Sequence, residues 1–353
     1  MIKRRKFIIP LVVLAILIAI GVAVLLRKEA PPEPVRLLPE AQAYIYLDLN
    51  PLRRAGLLQK MPPVQLDPEY DQFVKETGFQ FERDLEEAAI AVHEQPPAAL
   101  TTGKDGPPAE NRYSEVVVAH FDGQRARSYL MKVAQNVDTY RERDIFNIPR
   151  ENRTVRVCIL GPGMIAVSNT NDPAVIRGII DRYRKLALPF RGPRLVKQYH
   201  RKLPFGTLAW AIADIGRGSD HNKALVMPGG FDLFFPPNTI MIASVSYLTS
   251  VDLNVQAVTT SDDAAQRVTD QLNAYLAIFR TLEMNALGSD PDVKTFFESI
   301  KIEQDGNKAE LTADLPKGFL KKLLTEPPPE IQPAAPAPEP QKPEPKHHRK
   351  RRR

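Results

Sequence analysis

The chain has 353 residues, a formal net charge of +6 and a single cysteine. One cysteine excludes a disulfide framework within the chain. The charge does not mark a nucleic-acid-binding globule: six Lys/Arg lie between Lys3 and Lys28 and six more between Lys346 and Arg353, and taking those twelve from the total leaves the middle at −6.

The basic cluster Lys3, Arg4, Arg5 and Lys6 opens the chain, and residues 1–6 read as a cytoplasmic N-terminus. An apolar run follows from Phe7 to Leu26 with no ionisable side chain. As a helix it spans about 30 Å, the hydrocarbon thickness of a bilayer. The excess of positive charge before it predicts a single-pass transmembrane helix over 7–26, with everything after it on the extracytoplasmic side of a bacterial inner membrane. A removed signal peptide is the alternative, but the run exceeds the usual h-region. Leu25, Leu26, Arg27 and Lys28 also form no small-x-small cleavage junction. Residues 27–40, with Pro31, Pro32, Pro34 and Pro39, read as a stiff spacer.

Residues 41–190 read as a first α+β unit. A strand over Tyr44–Leu49 leads to a cap at Asp48 or Asn50, with Pro51 opening a helix through Leu58. The β-branched run Val116–Phe121 ends at Asp122, and Ala126, Tyr129, Leu130 and Val133 then fall on one helix face. Val155–Leu160 and Met164–Ser168 flank Gly161, Pro162 and Gly163 as a hairpin, with Cys158 a buried small hydrophobe on its first strand. Asp172 and Pro173 open a helix whose Val175, Ile176, Ile179, Ile180 and Tyr183 form a buried stripe.

Residues 191–204 are basic and proline-punctuated and read as a linker, and residues 205–325 as a second α+β unit. Its strand Thr207–Ile215 precedes a Gly/Pro loop, Pro228–Pro237, with exposed Phe231, Phe234 and Phe235. Thr239–Tyr247 and Val251–Thr259 read as an antiparallel pair. Thr260 or Ser261 caps a long helix bearing Val268, Leu272, Leu276 and Phe279. Ile300–Glu303 and Ala309–Ala313 flank Asp305 and Gly306 as a hairpin, followed by a short helix over Leu315–Leu324. The order of elements predicts an α+β fold: a duplicated unit of mostly antiparallel sheet with helices on one face. One sheet shared by both units is an equally simple outcome.

Residues 326–353 form a tail in which nine of the nineteen residues from Pro327 to Pro345 are proline. That composition supports no packed core. It ends in the cationic group Lys346, Arg349, Lys350, Arg351, Arg352 and Arg353, a candidate contact for polyanions of the cell wall or outer membrane or for an acidic protein. A passive, solubilising end is the plain alternative.

No phosphate-binding loop, nucleophile elbow, His-Glu-x-x-His pair or cysteine pair occurs. His120 with Asp122 at a strand end is the best acid–base pair, although Asp122 has a sufficient role as a helix cap. Asp214, Asp220 and His221 make a second polar group whose plain reading is a loop. No cofactor, metal site or catalytic activity is expected from these residues.

The layout of anchor, proline-rich spacer, Leu38–Pro39, the Ala43–Leu49 strand and the late Ile300–Ala313 hairpin resembles uncharacterised bacterial single-pass membrane-anchored extracytoplasmic proteins. The resemblance implies a duplicated α+β domain without known activity, and it assigns no sites. The expected function is that of an anchored, non-catalytic structural or binding protein of the bacterial cell envelope. Its partners would be the bilayer and polyanions, with no nucleic acid. Two readings stand beside it: an anchored enzyme with a dispersed site, and an inverted topology with a cytoplasmic tail on nucleic acid or anionic lipid. Deleting Lys346–Arg353 is expected to weaken retention of the chain on isolated envelope in a salt-sensitive way. Unchanged retention would leave the tail a passive end.

Overall fold

The computed structural model describes residues 30–54, 56, 68–93, 112–150, 153–185, 192–204, 206–216, 224–227, 231–247, 250–286, 291–316 and 318. The apolar run 7–26 and the tail 326–353 lie outside them. Among the described residues no helix is long and apolar enough to cross a membrane.

The first run of elements comprises α1 (Glu33–Leu37), β1 (Ala43–Asp48), α2 (Asn50–Arg54), α3 (Pro68–Thr77), α4 (Phe81–Asp84), β2 (Leu85–His93), β3 (Arg112–Ala119) and α5 (Gly123–Val133). It continues with β4 (Asn136–Tyr140), β5 (Arg143–Arg150), β6 (Arg153–Gly161), β7 (Met164–Ser168) and α6 (Pro173–Arg184). After α7 (Arg194–Tyr199) the second run contains β8 (Thr207–Asp214), β9 (Ala224–Met227), β10 (Phe231–Phe234), β11 (Ile240–Tyr247) and β12 (Val251–Val258). It closes with α8 (Asp262–Ala286), α9 (Pro291–Ser299), β13 (Lys301–Asp305) and β14 (Lys308–Leu315).

The fold is α+β, and both runs contribute to one twelve-stranded sheet in the order β13-β14-β12-β11-β8-β1-β2-β3-β7-β6-β5-β4. Every pairing in it is antiparallel. The two runs follow the same path. In each, a helix follows the third strand of the large sheet, and the chain then returns so that its last strand pairs with that third strand: β7 with β3, β14 with β12. The first strands, β1 and β8, pair at the centre, Tyr46 opposite Trp210. The outer edges are β4 and β13.

Local chemistry accounts for the helix starts. Asp122 Oδ1 accepts from the main-chain N–H groups of Gln124 (2.8 Å) and Arg125 (3.1 Å), capping α5. Asp172 caps α6 through Ala174 N (2.8 Å), with Pro173 in the first turn. Ser261 Oγ accepts from Ala264 N (3.2 Å) at the head of α8. At the late hairpin the register moves the turn one residue from its expected place. Asp305 pairs with Lys308, so Gly306, at φ +56°, and Asn307 make the turn. The chain from 308 runs as strand through Leu315; Gly318 is helical, and the greater part of the helix expected over Leu315–Leu324 lies outside the described residues.

Helices cover both faces of the sheet, which corrects the expectation of a single covered face. Alternate residues of β6 explain it. Cys158 and Leu160 point to one side, into a core shared with Tyr44, Ala89, Ala91, Val116, Ala166, Ile212 and the α6 residues Ile176, Ile179 and Ile180. Val157 points to the other side, against Phe146 and Leu130 of α5, with Val155, Ile159, Ile165 and Val167 around them. A continuous apolar run such as Val155–Leu160 is the mark of a strand covered on both sides. By register, α8 lies on the same face as α5, where Val268 packs on Ala257 and Ala309.

Two segments read as connections belong to the core instead. The second half of the spacer forms α1, whose Val35 and Leu37 are fully or almost fully buried together with Leu38. Pro34 starts that helix rather than preventing it, because proline fits the first turn. The linker 191–204 contains α7, which buries Val196 and Tyr199 beside β8. Gly216, just past β8, approaches Asn238 and Thr239 so closely that a Cβ there would overlap their main-chain nitrogens.

Ile212 is fully buried while Ile45, on the opposite face of the adjacent strand, is 43% exposed. Ile212→Ala is therefore expected to cost about 2–5 kcal/mol, and Ile45→Ala to stay within about 0.5 kcal/mol. Thermal unfolding of the full chain measures both, and equal costs would refute the assignment of faces.

Candidate ligand-binding cleft

The covering of the second face is incomplete. Between α3, α5 and strands β3, β5, β6 and β7 lies a cleft of about 550 Å³, inside the range of roughly 300–1,000 Å³ typical of small-molecule sites. Its floor is Val117, Val157, Ile165 and Val167, and its wall is the α5 stripe Ala126, Tyr129, Leu130 and Val133. The four residues that helical spacing placed on one face of α5 therefore line one cavity.

Aromatic rings build the rim. Phe73 of α3 lies edge-on to Tyr129 at 5.3 Å between centroids, and Phe79 and Phe81 meet edge-on at 4.9 Å. Tyr70 stacks on Phe81 at 5.7 Å, and Phe81 keeps 44% of its surface exposed. Polar contacts fasten α3 over α5. Arg125 donates to the main-chain oxygens of Lys75 (2.9 Å) and Glu76 (3.3 Å), supplying donors to the last turn of α3. Lys132 pairs with Glu76 at 2.7 Å. Gly78, at φ +75°, lets the chain turn away beneath the Arg125 guanidinium, where a Cβ would sit 2.8 Å from Nη1. The helix is thus held by hydrogen bonds at one end while its Phe73 ring faces the cleft.

Two charged side chains line the cavity, Glu115 and Arg150. Arg150 is exposed. Glu115 stands in mid-strand on β3, opposite Ile90 of β2 and Val167 of β7. Burial alone pushes its carboxyl pKa above the ordinary value.

The residues singled out from sequence fall elsewhere. His120 faces Glu86, Nδ1 to Oε1 3.3 Å, with its side chain 78% exposed, while Asp122 is committed to the α5 cap. The two do not meet as an acid–base pair. Asp214 ends β8, tied to Gln42 through its main chain (N to O 2.9 Å). Asp220 and His221 lie outside the described residues, as do the tail residues Lys346, Arg349, Lys350, Arg351, Arg352 and Arg353. Phe234 is half exposed, whereas Phe235 packs against the Ala257, Val268 and Ala309 cluster. Cys158 is fully buried, and burial pushes its thiol up to about 12. Among the described residues no three His, Cys, Asp or Glu side chains are grouped to hold a metal ion.

Sequence reasoning missed the rim and Glu115. Their signals were present: Tyr70, Phe73, Phe79 and Phe81 within twelve residues, and one glutamate directly before the run Val116–Ala119.

The raised carboxyl pKa has a sign in stability. Between the unfolded and folded values the folded chain holds a proton that the unfolded chain has lost, so stability falls as pH rises through that window. Glu115→Leu removes the effect. The variant is expected to exceed the parent by about 1–2 kcal/mol at pH 7–8, with the advantage shrinking as pH falls towards 4 in thermal unfolding of the full chain. A constant difference across pH would overturn the partial burial of this carboxyl.

No protein family and no curated protein matches the chain. Among solved structures, crystal form III of TP0453 is similar with a TM-score of 0.47 and 9% identity, over 83% of this chain and 97% of that one. Crystal form I of TP0453 gives 0.43 and 9%, over 84% and 96%. Likeness at this level assigns neither family nor function.

Proposed function

We propose that this chain is a single-pass, membrane-anchored binding protein of the bacterial cell envelope, without catalytic activity, that holds an apolar small molecule in the cleft beneath α3 and α5. The cleft carries the reading. Its lining is apolar and aromatic with few polar groups, the composition of a site that sequesters a ligand rather than one that transforms it. The bilayer-length run Phe7–Leu26 and the basic cluster before it support the location, with the N-terminus in the cytoplasm and the folded part outside. The terminal cations from Lys346 to Arg353 then face envelope polyanions.

One strain tests both halves of this reading. Alkaline phosphatase fused after Arg353 is expected to be active in intact cells, and inactivity would overturn the proposed side of the membrane. For the cleft, Val133→Cys places a thiol in the lining, while the native Cys158 is buried and stays silent. In membranes holding the full chain, single-chain alkyl compounds are expected to slow alkylation of that thiol by N-ethylmaleimide. A thiol introduced by Met131→Cys, on the same helix at a position 52% exposed and outside the lining, is expected to react unchanged. Equal alkylation with and without the compounds would overturn the ligand.

A further inference from the structure

Glu115 is the one charged side chain of the cleft that stands among apolar neighbours on the strand face itself. Ile90 and Val167 flank it across the strands, Val117 follows it on the same face, and the phenol of Tyr113, which precedes it there, feels its charge. Among the described residues its carboxyl receives no hydrogen bond and no ion pair. A carboxylate offers only acceptors, and in a half-buried position among apolar side chains it gains from a ligand group that brings a donor. The apolar floor and aromatic rim ask for a hydrocarbon body, and this one group asks for a donor at its end.

Resting on the ligand-binding reading above, we propose that the occupant is a single-chain alkyl amphiphile whose head is an uncharged or cationic hydrogen-bond donor, a hydroxyl or an ammonium, placed against Glu115. The chain lies along Val157, Val167 and the α5 stripe. A carboxylate-headed chain would have to place its charge beside Glu115 or at Arg150. The first placement sets like charges together in a partly desolvated site. The second gains little, because Arg150 is exposed and already has an interaction of its own, and exposed ion pairs contribute only about 0–1 kcal/mol. The half-buried acceptor without a protein donor therefore outweighs the exposed, already engaged cation in choosing the head.

The thiol assay on Val133→Cys in membranes tests this with three probes of equal chain length: 1-hexadecanol, hexadecylamine and palmitate at pH 7.5. The alcohol and the amine are expected to protect the thiol at concentrations about tenfold lower than palmitate. Glu115→Leu, expected to fold at least as stably as the parent, should abolish that preference while retaining protection. Glu115→Gln should keep the preference for the alcohol and lose it for the amine. Equal protection by all three probes, palmitate as the best protector, or a preference that survives Glu115→Leu would overturn the donor-headed ligand and leave the apolar cleft standing. Absence of protection by every probe would overturn the cleft reading and this proposal together. Protection that appears without probe and rises with protein density would mean that a second copy of the chain fills the cleft, and would also overturn it.

Discussion

The antiparallel pairing of β1 with β8 is the contact on which the architecture turns. Each run of strands begins with an element whose hydrogen-bonding edge would otherwise be open, and each edge satisfies the other from Ala43–Ala213 to Leu47–Ala209. The pairing also brings Tyr46 and Trp210 to 5.6 Å between ring centroids, a contact of the order of 1 kcal/mol beyond its buried area. Around this seam the two runs become one sheet, and α1, α6 and α7 share one core rather than two. Tyr44, in the same strand as Tyr46, donates its hydroxyl to Pro39 O at 2.8 Å and so fixes the turn through which the N-terminal segment enters.

A sheet joined in this way has unequal needs on its two faces. One face is sealed, with Ile176, Ile179, Ile180, Ile212 and Tyr44 fully buried. On the other, α5 and α8 each cover one end, and the strands between them keep side chains such as Ile45 partly in water. Beneath α5 the covering stops short of close packing, and α3 is fastened to α5 by Arg125, Lys132 and the Phe73–Tyr129 ring contact. The cleft follows from that geometry, and Glu115 stands where a valine would complete the floor.

Much of the fold was legible in the sequence. The caps Asp122, Asp172 and Ser261 and the stripes of α5 and α6 are local signals, decided within a few residues by hydrogen bonding and helical periodicity. The strand Ala43–Asp48 and the β6–β7 hairpin were equally plain. What escaped was set by distant partners. Residues 191–204 look like a connection because they are basic, yet Val196 and Tyr199, with Leu195 and Leu203 beside them, pack α7 into the core next to β8. The number of covered faces was written in Val155–Leu160, a run without alternation, and became readable once both sides were seen filled. The candidate site was the least legible part. Glu115 has no motif, and its setting depends on Ile90 and Val167 on strands whose register the sequence does not state.

The open edges of the sheet have a consequence for how copies of the chain coexist. On β13 the exposed positions are Lys301, Glu303 and Asp305, and on β4 they include Asp138, with Arg141 and Glu142 in the turn that follows. Another strand docking along β13 would have to strip water from these charges. At β13 the sheet thus ends in a border whose charges oppose the addition of a further strand.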